Sequence, residues 1–295
     1  MEFPFDGTVF VEKILRVQPN MKKLLLLLLR AADTESATVL GNDLFKIMKE
    51  KWCANFNSFI SEKITLVPGD ISCEDLGFKD PDLKEKIYDV AFGINTLEAM
   101  HVVNFAKKCF KLKVLVHVST AYVSKKRRGL VLEKSVDGTS GLVIDVEKQV
   151  VEQGLNELIA EGASEKEIKL AMTHLVIKRA KMYGWPNTYV FTKAIGELLI
   201  QHLKESISVV ILRPTVISST YKQLFPYWAE DLRTINVLFA GPALGKLPCL
   251  VGDIETVFDV IPADIVVNAM IVAILMQNNL LMSIFIKRDH LQEIL

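Results

Sequence analysis

Short apolar runs alternate with longer amphipathic stretches along most of this chain, and this alternation constrains its fold more than any other feature. The runs are rich in leucine or β-branched residues and lie between turn signals, which is typical of buried strands. The longer stretches carry apolar residues at helical spacing. Strands that alternate with helices predict a parallel, doubly wound α/β sheet with helices on both faces.

The predicted elements cover most of the chain. Helices are expected over 10–17, 42–60, 96–110, most of 146–185 with a break near Gly162, 188–200 and about 263–275. Strands are expected over 23–30, 63–67, 113–120, 208–212 and 257–261.

Composition excludes several classes of function. The chain has 295 residues, of which 50% are hydrophobic, and a formal net charge of zero. That length can bury a substantial core in one large or two modest domains, and the neutral balance gives no reason to expect a nucleic acid partner. The four cysteines are widely spaced. Without a CxxC pair or histidines at ligand spacing, they predict reduced thiols and no metal site.

A leucine run from Leu24 to Leu29 is bounded by Lys22-Lys23 and Arg30. It is far too short to cross a bilayer, so it is expected to be a buried sheet strand. The N-terminus also lacks the pattern of a cleaved signal peptide. The sequence therefore predicts no transmembrane span, whereas peripheral contact with a membrane stays open.

Tyr189 and Lys193 lie four residues apart in a stretch predicted to be helical, so their side chains share a face. An ammonium beside a phenol favours the phenolate, which makes the tyrosine a better proton relay at neutral pH. Such a pair beside a nicotinamide is typical of short-chain dehydrogenase-type reductases. A second tyrosine–lysine pair with this spacing, Tyr122 and Lys126, lies in a basic stretch. A tyrosine and a lysine on the surface of an amphipathic helix can also show the spacing without any catalytic role. The helix-start signal at 186–188 favours the Tyr189 pair.

Two hydroxyls, Ser119 and Thr120, end the strand predicted over 113–120. In doubly wound sheets ligands bind at the carboxyl ends of strands, where a hydroxyl can donate to a carbonyl oxygen or a developing oxyanion. Successive strand residues face opposite ways, so one of the two is expected in this role, with Thr120 the first choice and Ser119 the second. Capping of a turn is the alternative explanation.

Candidate cofactor-binding residues lie at other strand ends. Arg30 ends the leucine-rich strand, where an arginine suits an adenosine 2′-phosphate and so favours NADPH over NADH. Asp70 and Ile71 follow Gly69, where a short acid and backbone amides can hold an adenine. Pro214 follows another strand and can shape the floor of a nicotinamide pocket. A snorkelling arginine, ordinary turn chemistry and a strand-ending proline explain the same residues without a cofactor.

Several segments together carry a resemblance to a known family. They are 10–20, 27–31, 68–77, 93–96, 117–123, 183–193, 212–215 and 259–264. They resemble the plant alcohol-forming fatty acyl-CoA reductases. The resemblance implies an extended short-chain dehydrogenase fold of the Rossmann type. It also implies NADPH as the cofactor and reduction of a long-chain fatty acyl-CoA, through an aldehyde, to a primary alcohol with release of coenzyme A.

The resemblance also implies roles for particular residues. Tyr189 would be the general acid, Lys193 would lower its pKa and hold the cofactor ribose, and Thr120 or Ser119 would polarise the carbonyl oxygen. A Rossmann-like reductase domain is expected over 1–275 and a divergent tail over 276–295. The implied location is the cytoplasm or the cytosolic face of the endoplasmic reticulum, and a homo-oligomer stays open.

The chain departs from the family pattern in three places. Met1–Thr8 holds a single glycine where the family has its first strand and glycine-rich phosphate loop. Lys86–Asp89 runs straight on to Ala91–Asn95, where the family has another apolar strand. The family's C-terminal helical domain is expected to be absent after Leu275. A shortened chain is expected to turn over acyl-CoA poorly or not at all.

These departures favour a second hypothesis, in which the chain is a non-catalytic homologue that acts as a binding or dimerisation partner. A third hypothesis is a reductase of the wider family that acts on a nucleotide sugar or a ketone. A cofactor-binding titration separates the first two hypotheses most directly.

Overall fold

The computed structural model describes residues 7–17, 24–29, 62–69, 96, 98–125, 136, 141–222, 226, 235–249, 252–253, 255 and 257–276. The chain divides into two compact units. The first unit holds Leu29 and the described residues of 68–212. The second holds the described residues of 2–28, 33–67 and 213–295.

The described helices and strands are labelled here in chain order. They are α1 (Gly7–Val17), β1 (Leu24–Leu29), β2 (Ile64–Gly69), α2 (Glu98–Lys108), β3 (Leu115–Val118), α3 (Ile144–Ala160), α4 (Glu165–Met182), α5 (Thr188–Leu203), β4 (Val209–Leu212), β5 (Val216–Ser218), α6 (Ile235–Ala243), β6 (Val260–Pro262) and α7 (Ala263–Leu275). A short 3₁₀ helix, Ala121–Ser124, follows β3.

In the first unit, β3 and β4 form a parallel pair. Their register runs from Leu115 opposite Val209 to Val118 opposite Leu212. The Ser119 backbone N–H donates to the Leu212 carbonyl at 2.7 Å and extends the pairing by one residue. Parallel strands need a long crossover, which α3, α4 and α5 supply. Because the strands are parallel, their carboxyl ends lie at the same edge.

Helix α5 is buried on almost every side, as expected of a central helix. One face packs with α3 and α4, where Met172, Val176 and Phe191 are buried in the largest core cluster. Another face packs on α2 and β4 through a second cluster that contains Val103 and Ile200. The position of α5 relative to β3 is therefore fixed by packing on more than one side.

Local signals set the start of α5 and the end of α4. Gly184 follows the end of α4 with φ +82°, a left-handed conformation that favours glycine, and Trp185 N–H donates back to the Ala180 carbonyl at 2.9 Å. Asn187 then caps α5, since its side-chain oxygen accepts from the Val190 N–H at 2.9 Å. Together these residues turn the chain sharply before Tyr189.

The second unit contains another parallel pair. Strands β5 and β6 pair from Val216 opposite Val260 to Ser218 opposite Pro262, and α7 follows β6 directly. Helix α1 packs on α7 where Val9, Val267 and Ile271 are buried together.

Strands β1 and β2 pair with each other, so the leucine run is a sheet strand, as predicted.

Most predicted elements are confirmed, with shifted ends. The strand expected over 113–120 stops at Val118 because Thr120 begins the 3₁₀ helix as its N-cap. Strand β5 and helix α6 were not predicted: β5 has 3 residues, and α6 contains Pro242, which normally argues against a helix. The helix expected over 42–60 lies outside the described residues. The strands that the structure describes pair as three two-stranded sheets.

Two further features were searched for over the described ranges. No helix there combines the length and apolar character needed to span a membrane. The same residues contain no group of three or more His, Cys, Asp or Glu side chains arranged to hold a metal ion.

Candidate active site

Lys193 reaches from α5 to the carboxyl end of β3. Its side chain is buried, with 4% of the residue exposed. Its Nζ donates a long hydrogen bond of 3.4 Å to the Val118 carbonyl oxygen. Because Val118 immediately precedes Ser119, the structure brings together the predicted lysine and the predicted hydroxyl-bearing strand end.

The two hydroxyls after β3 differ in their surroundings. Both Ser119 and Thr120 are buried. Thr120 Oγ1 lies 3.5 Å from the Tyr122 N–H, which it caps. Ser119 Oγ makes no hydrogen bond to any residue that the structure describes. Buried hydroxyls normally have partners, so a buried Oγ without one is well suited to bind a substrate oxygen. The geometry favours Ser119 over Thr120, the reverse of the sequence-based order.

Tyr189 lies in the first turn of α5 and is half-buried against the same core cluster as Val123 and Trp185. Burial raises the pKa of the Tyr189 phenol above its ordinary value, because water no longer solvates the phenolate. The expected lowering by Lys193 is therefore not what the structure shows. A tyrosine that keeps its proton suits a general acid, which must donate one.

Burial also acts on Lys193 itself. It lowers the pKa of the Lys193 ammonium to about 8, while the negative charges of Glu98 and Glu197 act in the opposite direction. A lysine with this pKa still carries its charge in most molecules at pH 7. The ammonium is therefore able to hydrogen-bond a hydroxyl or phosphate group of a ligand.

His117, on β3, is a neutral neighbour of this site. Burial, followed by the charge of Lys193, lowers the pKa of its imidazole to about 3. Its Nε2 is buried and has no hydrogen-bond partner among the described residues. A buried, neutral imidazole is typical of a histidine that packs within a strand.

Trp185 braces the site, a role that sequence reasoning missed. It is 2% exposed, and its Nε1 donates to the Val123 carbonyl at 3.1 Å. Its ring lies 5.4 Å from that of Phe191 on α5, and Lys125 Nζ lies 4.2 Å from its centroid. The indole thus ties the 3₁₀ helix after Thr120 to the first turns of α5. The sequence signal that could have indicated this role is the position of Trp185 two residues before the cap Asn187.

A buried polar network supports α5 from behind and was also missed. Arg179 donates to Glu147 through Nε at 2.8 Å and through Nη2, and the Tyr183 hydroxyl donates to Glu147 at 2.7 Å. The Tyr183 ring stacks 6.1 Å from that of Phe191. Helices α3, α4 and α5 are linked through these side chains.

The predicted cofactor residues are distributed differently. Arg30, Asp70 and Ile71 lie outside the described residues, as does Lys126 of the second tyrosine–lysine match. Pro214, in the segment that follows β4 in the chain, is buried and belongs to the second unit. Of the predicted cofactor-binding residues, Lys193 is the one that the structure places at the candidate site.

The fold and the matched family define a protein with an NAD-binding domain of Rossmann type. A family model for NAD-binding domains, described as Male sterility protein, matches residues 5–87 and 84–270. Because the two matches cover most of the sequence, the chain belongs to this family.

The resemblance to plant fatty acyl-CoA reductases is confirmed by curated relatives. An alcohol-forming fatty acyl-CoA reductase of Simmondsia chinensis is 49% identical over 302 residues, which are 92% of this chain and 61% of that protein. Fatty acyl-CoA reductase 1 of Arabidopsis thaliana is 44% identical, over 91% of this chain and 61% of its own length. The chain thus spans about three fifths of the length of these relatives.

Solved structures with low sequence identity show the same fold. The terminal R domain from the myxalamid PKS-NRPS biosynthetic pathway matches with a TM-score of 0.63 and 14% identity, over 98% of this chain and 66% of that chain. A reductase domain of a nonribosomal peptide synthetase from Mycobacterium tuberculosis matches with a TM-score of 0.57 and 17% identity, over 95% and 62%. At these identities the likeness supports the Rossmann architecture alone.

Proposed function

We propose that the chain is a reductase that uses NADPH to convert a long-chain fatty acyl-CoA to a primary alcohol and coenzyme A. The observation that carries the proposal is the contact of the buried Lys193 with the Val118 carbonyl at the end of β3, one residue before Ser119 and its unpartnered hydroxyl. The names of the relatives at 44–49% identity support the choice of substrate.

The arrangement of these residues fits a nicotinamide cofactor and a carbonyl substrate. The cofactor supplies hydride to the carbonyl carbon. Lys193 holds the cofactor ribose through its ammonium, and Ser119 donates a hydrogen bond to the carbonyl oxygen. Tyr189 keeps its proton until the oxygen becomes negative and then donates it.

The overall reaction requires two reductions. In the first, Tyr189 would protonate the thioester oxygen as the bound cofactor supplied hydride to the carbonyl carbon, which would give a hemithioacetal. Its C–S bond would then break: the coenzyme A thiolate would take a proton from solvent, and the hydroxyl proton would return to the Tyr189 phenolate as the aldehyde formed. The second reduction would use a second equivalent of reduced cofactor, and Tyr189 would again donate a proton and recover one from solvent.

The experiment uses the purified chain, NADPH and a long-chain acyl-CoA. Cofactor oxidation is followed by absorbance and the alcohol by mass spectrometry. Tyr189→Phe is expected to lower kcat about 100-fold or more, because a general acid contributes on that scale. Tyr122→Phe is the matched control, since Tyr122 is the exposed tyrosine of the second sequence match. Equal effects of the two substitutions would contradict the assignment.

The second candidate function is that of a non-catalytic partner. The two family matches overlap at residues 84–87. At this place the family has an apolar strand that this sequence lacks. Loss of a central strand displaces the cofactor cleft, and an error of about 1 Å can reduce a rate a hundredfold. A chain that dimerises but binds neither NADPH nor NADH would support this candidate over the reductase.

A further inference from the structure

Two buried carboxylates flank Lys193, and the proposed mechanism gives neither a role. Glu197 is 0% exposed and Glu98 is 5% exposed. Glu197 lies four residues after Lys193 on α5, so the two side chains share a face. Glu98 lies in the first turn of α2, which packs against α5.

The packing of α2 on α5 brings the first turn of α2, which carries Glu98, toward the turn of α5 that carries Lys193. Thr96 Oγ1 donates to the Thr192 carbonyl oxygen at 3.2 Å, which ties the start of α2 to the residue before Lys193. Val103 and Ile200 are buried together one to two turns further along the same interface. The position of Glu98 relative to Lys193 is therefore set by the packing of α2 on α5.

We infer that Glu98 and Glu197 are positioning residues that keep Lys193 charged and directed at the carboxyl end of β3. An ammonium in a dry interior is unfavourable unless opposite charges accompany it. The two carboxylates supply them from two different helices. The Lys193 side chain is therefore positively charged before any ligand binds.

The other ionisable groups around Lys193 do not replace these carboxylates. Neither His101 on α2 nor Tyr189 on α5 supplies a carboxylate. His117 on β3 is a neutral imidazole, as its lowered pKa indicates. On α3 and α4, which also pack against α5, the buried Glu147 is paired with the partly exposed Arg179. Burial and the two carboxylates act in opposite directions on the pKa of Lys193.

The test measures the charge of Lys193 directly, with no cofactor or substrate. Lysine side chains are labelled with ¹³C and ¹⁵N, and the Lys193 signal is assigned by its loss in Lys193→Met. The wild-type signal is expected to titrate near pH 8. Glu98→Gln and Glu197→Gln should each lower this midpoint by about one unit, since a nearby opposite charge has effects of that size. An unchanged midpoint in both variants would overturn the inference.

Matched variants separate charge from structural damage. Glu197→Asp keeps the charge, so its midpoint should stay closer to wild type than that of Glu197→Gln. Glu147→Gln removes a buried carboxylate that pairs with Arg179, so it should lower stability without moving the Lys193 midpoint. If one glutamine variant does not fold, the other still decides the outcome. A Glu147→Gln midpoint that falls as far as theirs would contradict the inference.

The functional consequence rests on the proposed role of Lys193 and has its own readout. At pH 7.5, a midpoint lowered from 8 to about 7 reduces the charged fraction about threefold. NADPH should then bind Glu98→Gln about threefold more weakly, with a smaller change in kcat. A shifted midpoint with no NADPH binding in any variant would contradict the proposed function and leave the charge assignment intact.

Discussion

The two hydroxyls that follow β3 are neighbours in sequence but differ in chemistry. Ser119 Oγ is buried with no partner among the described residues, whereas Thr120 Oγ1 caps the 3₁₀ helix. The Thr120 hydroxyl oxygen already accepts a hydrogen bond from the backbone, and this bond restricts its orientation. A buried, unpartnered hydroxyl is free to donate to a ligand oxygen.

Substitution of each hydroxyl should therefore affect a different property. Ser119→Ala should lower kcat about 100-fold, since loss of one donor to a developing oxyanion costs on that order. Thr120→Ala should reduce stability by about 1 kcal/mol through the lost cap and affect kcat less. Steady-state kinetics and urea unfolding of both variants check this. A larger loss of kcat for Thr120→Ala would restore the sequence-based order.

His117 should make the protein sensitive to acid. The pKa of the imidazole is lowered from 6.5 to about 3 by burial and by Lys193. Between these values the unfolded chain binds a proton that the folded chain does not. Stability contributed by this residue is therefore full above pH 6.5 and falls as the pH decreases, by about 1 kcal/mol per unit.

The measurement is urea unfolding at pH 7 and pH 5. His117→Gln should lose less stability than wild type over this interval. His174→Gln is the control, because His174 is exposed on α4 and its removal should leave the wild-type loss in place. Identical losses in all three proteins would show that His117 does not titrate in this way.

At this scale the sequence predicts positions along the chain but not charge states. The structure places Tyr189 and Lys193 on one helix, as their spacing predicts, and Lys193 contacts the end of β3, while their roles stay a prediction. The direction of the Tyr189 pKa shift was predicted wrongly because it depends on burial by Trp185 and its neighbours. Burial of a single side chain arises from tertiary packing, which local spacing does not contain.

Among the helices, α5 determines the site because it carries both Tyr189 and Lys193. Its start is fixed by the cap Asn187, which lies within the predicted helix-start signal at 186–188. Its depth is fixed by Phe191 and by the helices α3 and α4 behind it. The existence of α5 was predictable from its apolar pattern, whereas the bracing by Trp185 and by the Glu147 network needed the structure.

Caps on two neighbouring helices allow stability and function to be separated. Asn187→Ala and Ser164→Ala each remove a cap, from α5 and α4 respectively, and each should cost about 1 kcal/mol. Only Asn187 lies in the turn before Tyr189. Asn187→Ala should therefore also lower kcat, and Asn187→Asp should restore both properties. Urea unfolding and kinetics of the three variants test this; equal kcat losses for the two alanine variants would contradict it.

At the scale of the whole molecule, the two units contribute different evidence. The first contains the Lys193 site, and the second contains Pro214 and the parallel pair of β5 and β6. The Rossmann class was predictable because the alternation of strands and helices extends through both. The three separate strand pairs were not predictable, since pairing depends on segments far apart in the chain.

Cofactor binding by the whole chain tests the proposed function most directly. A ligand that binds only the folded state stabilises it by about 2.7 kcal/mol at one hundred times its Kd. NADPH should therefore raise the melting temperature, and NADH should raise it less, because Arg30 is predicted to hold the adenosine 2′-phosphate. Arg30→Ala should bring the two shifts together, while Arg16→Ala, on α1, should leave them apart. Equal shifts in wild type would remove Arg30 from the site. If neither nucleotide shifts the melting temperature at any concentration up to the millimolar range, the chain is the non-catalytic partner instead.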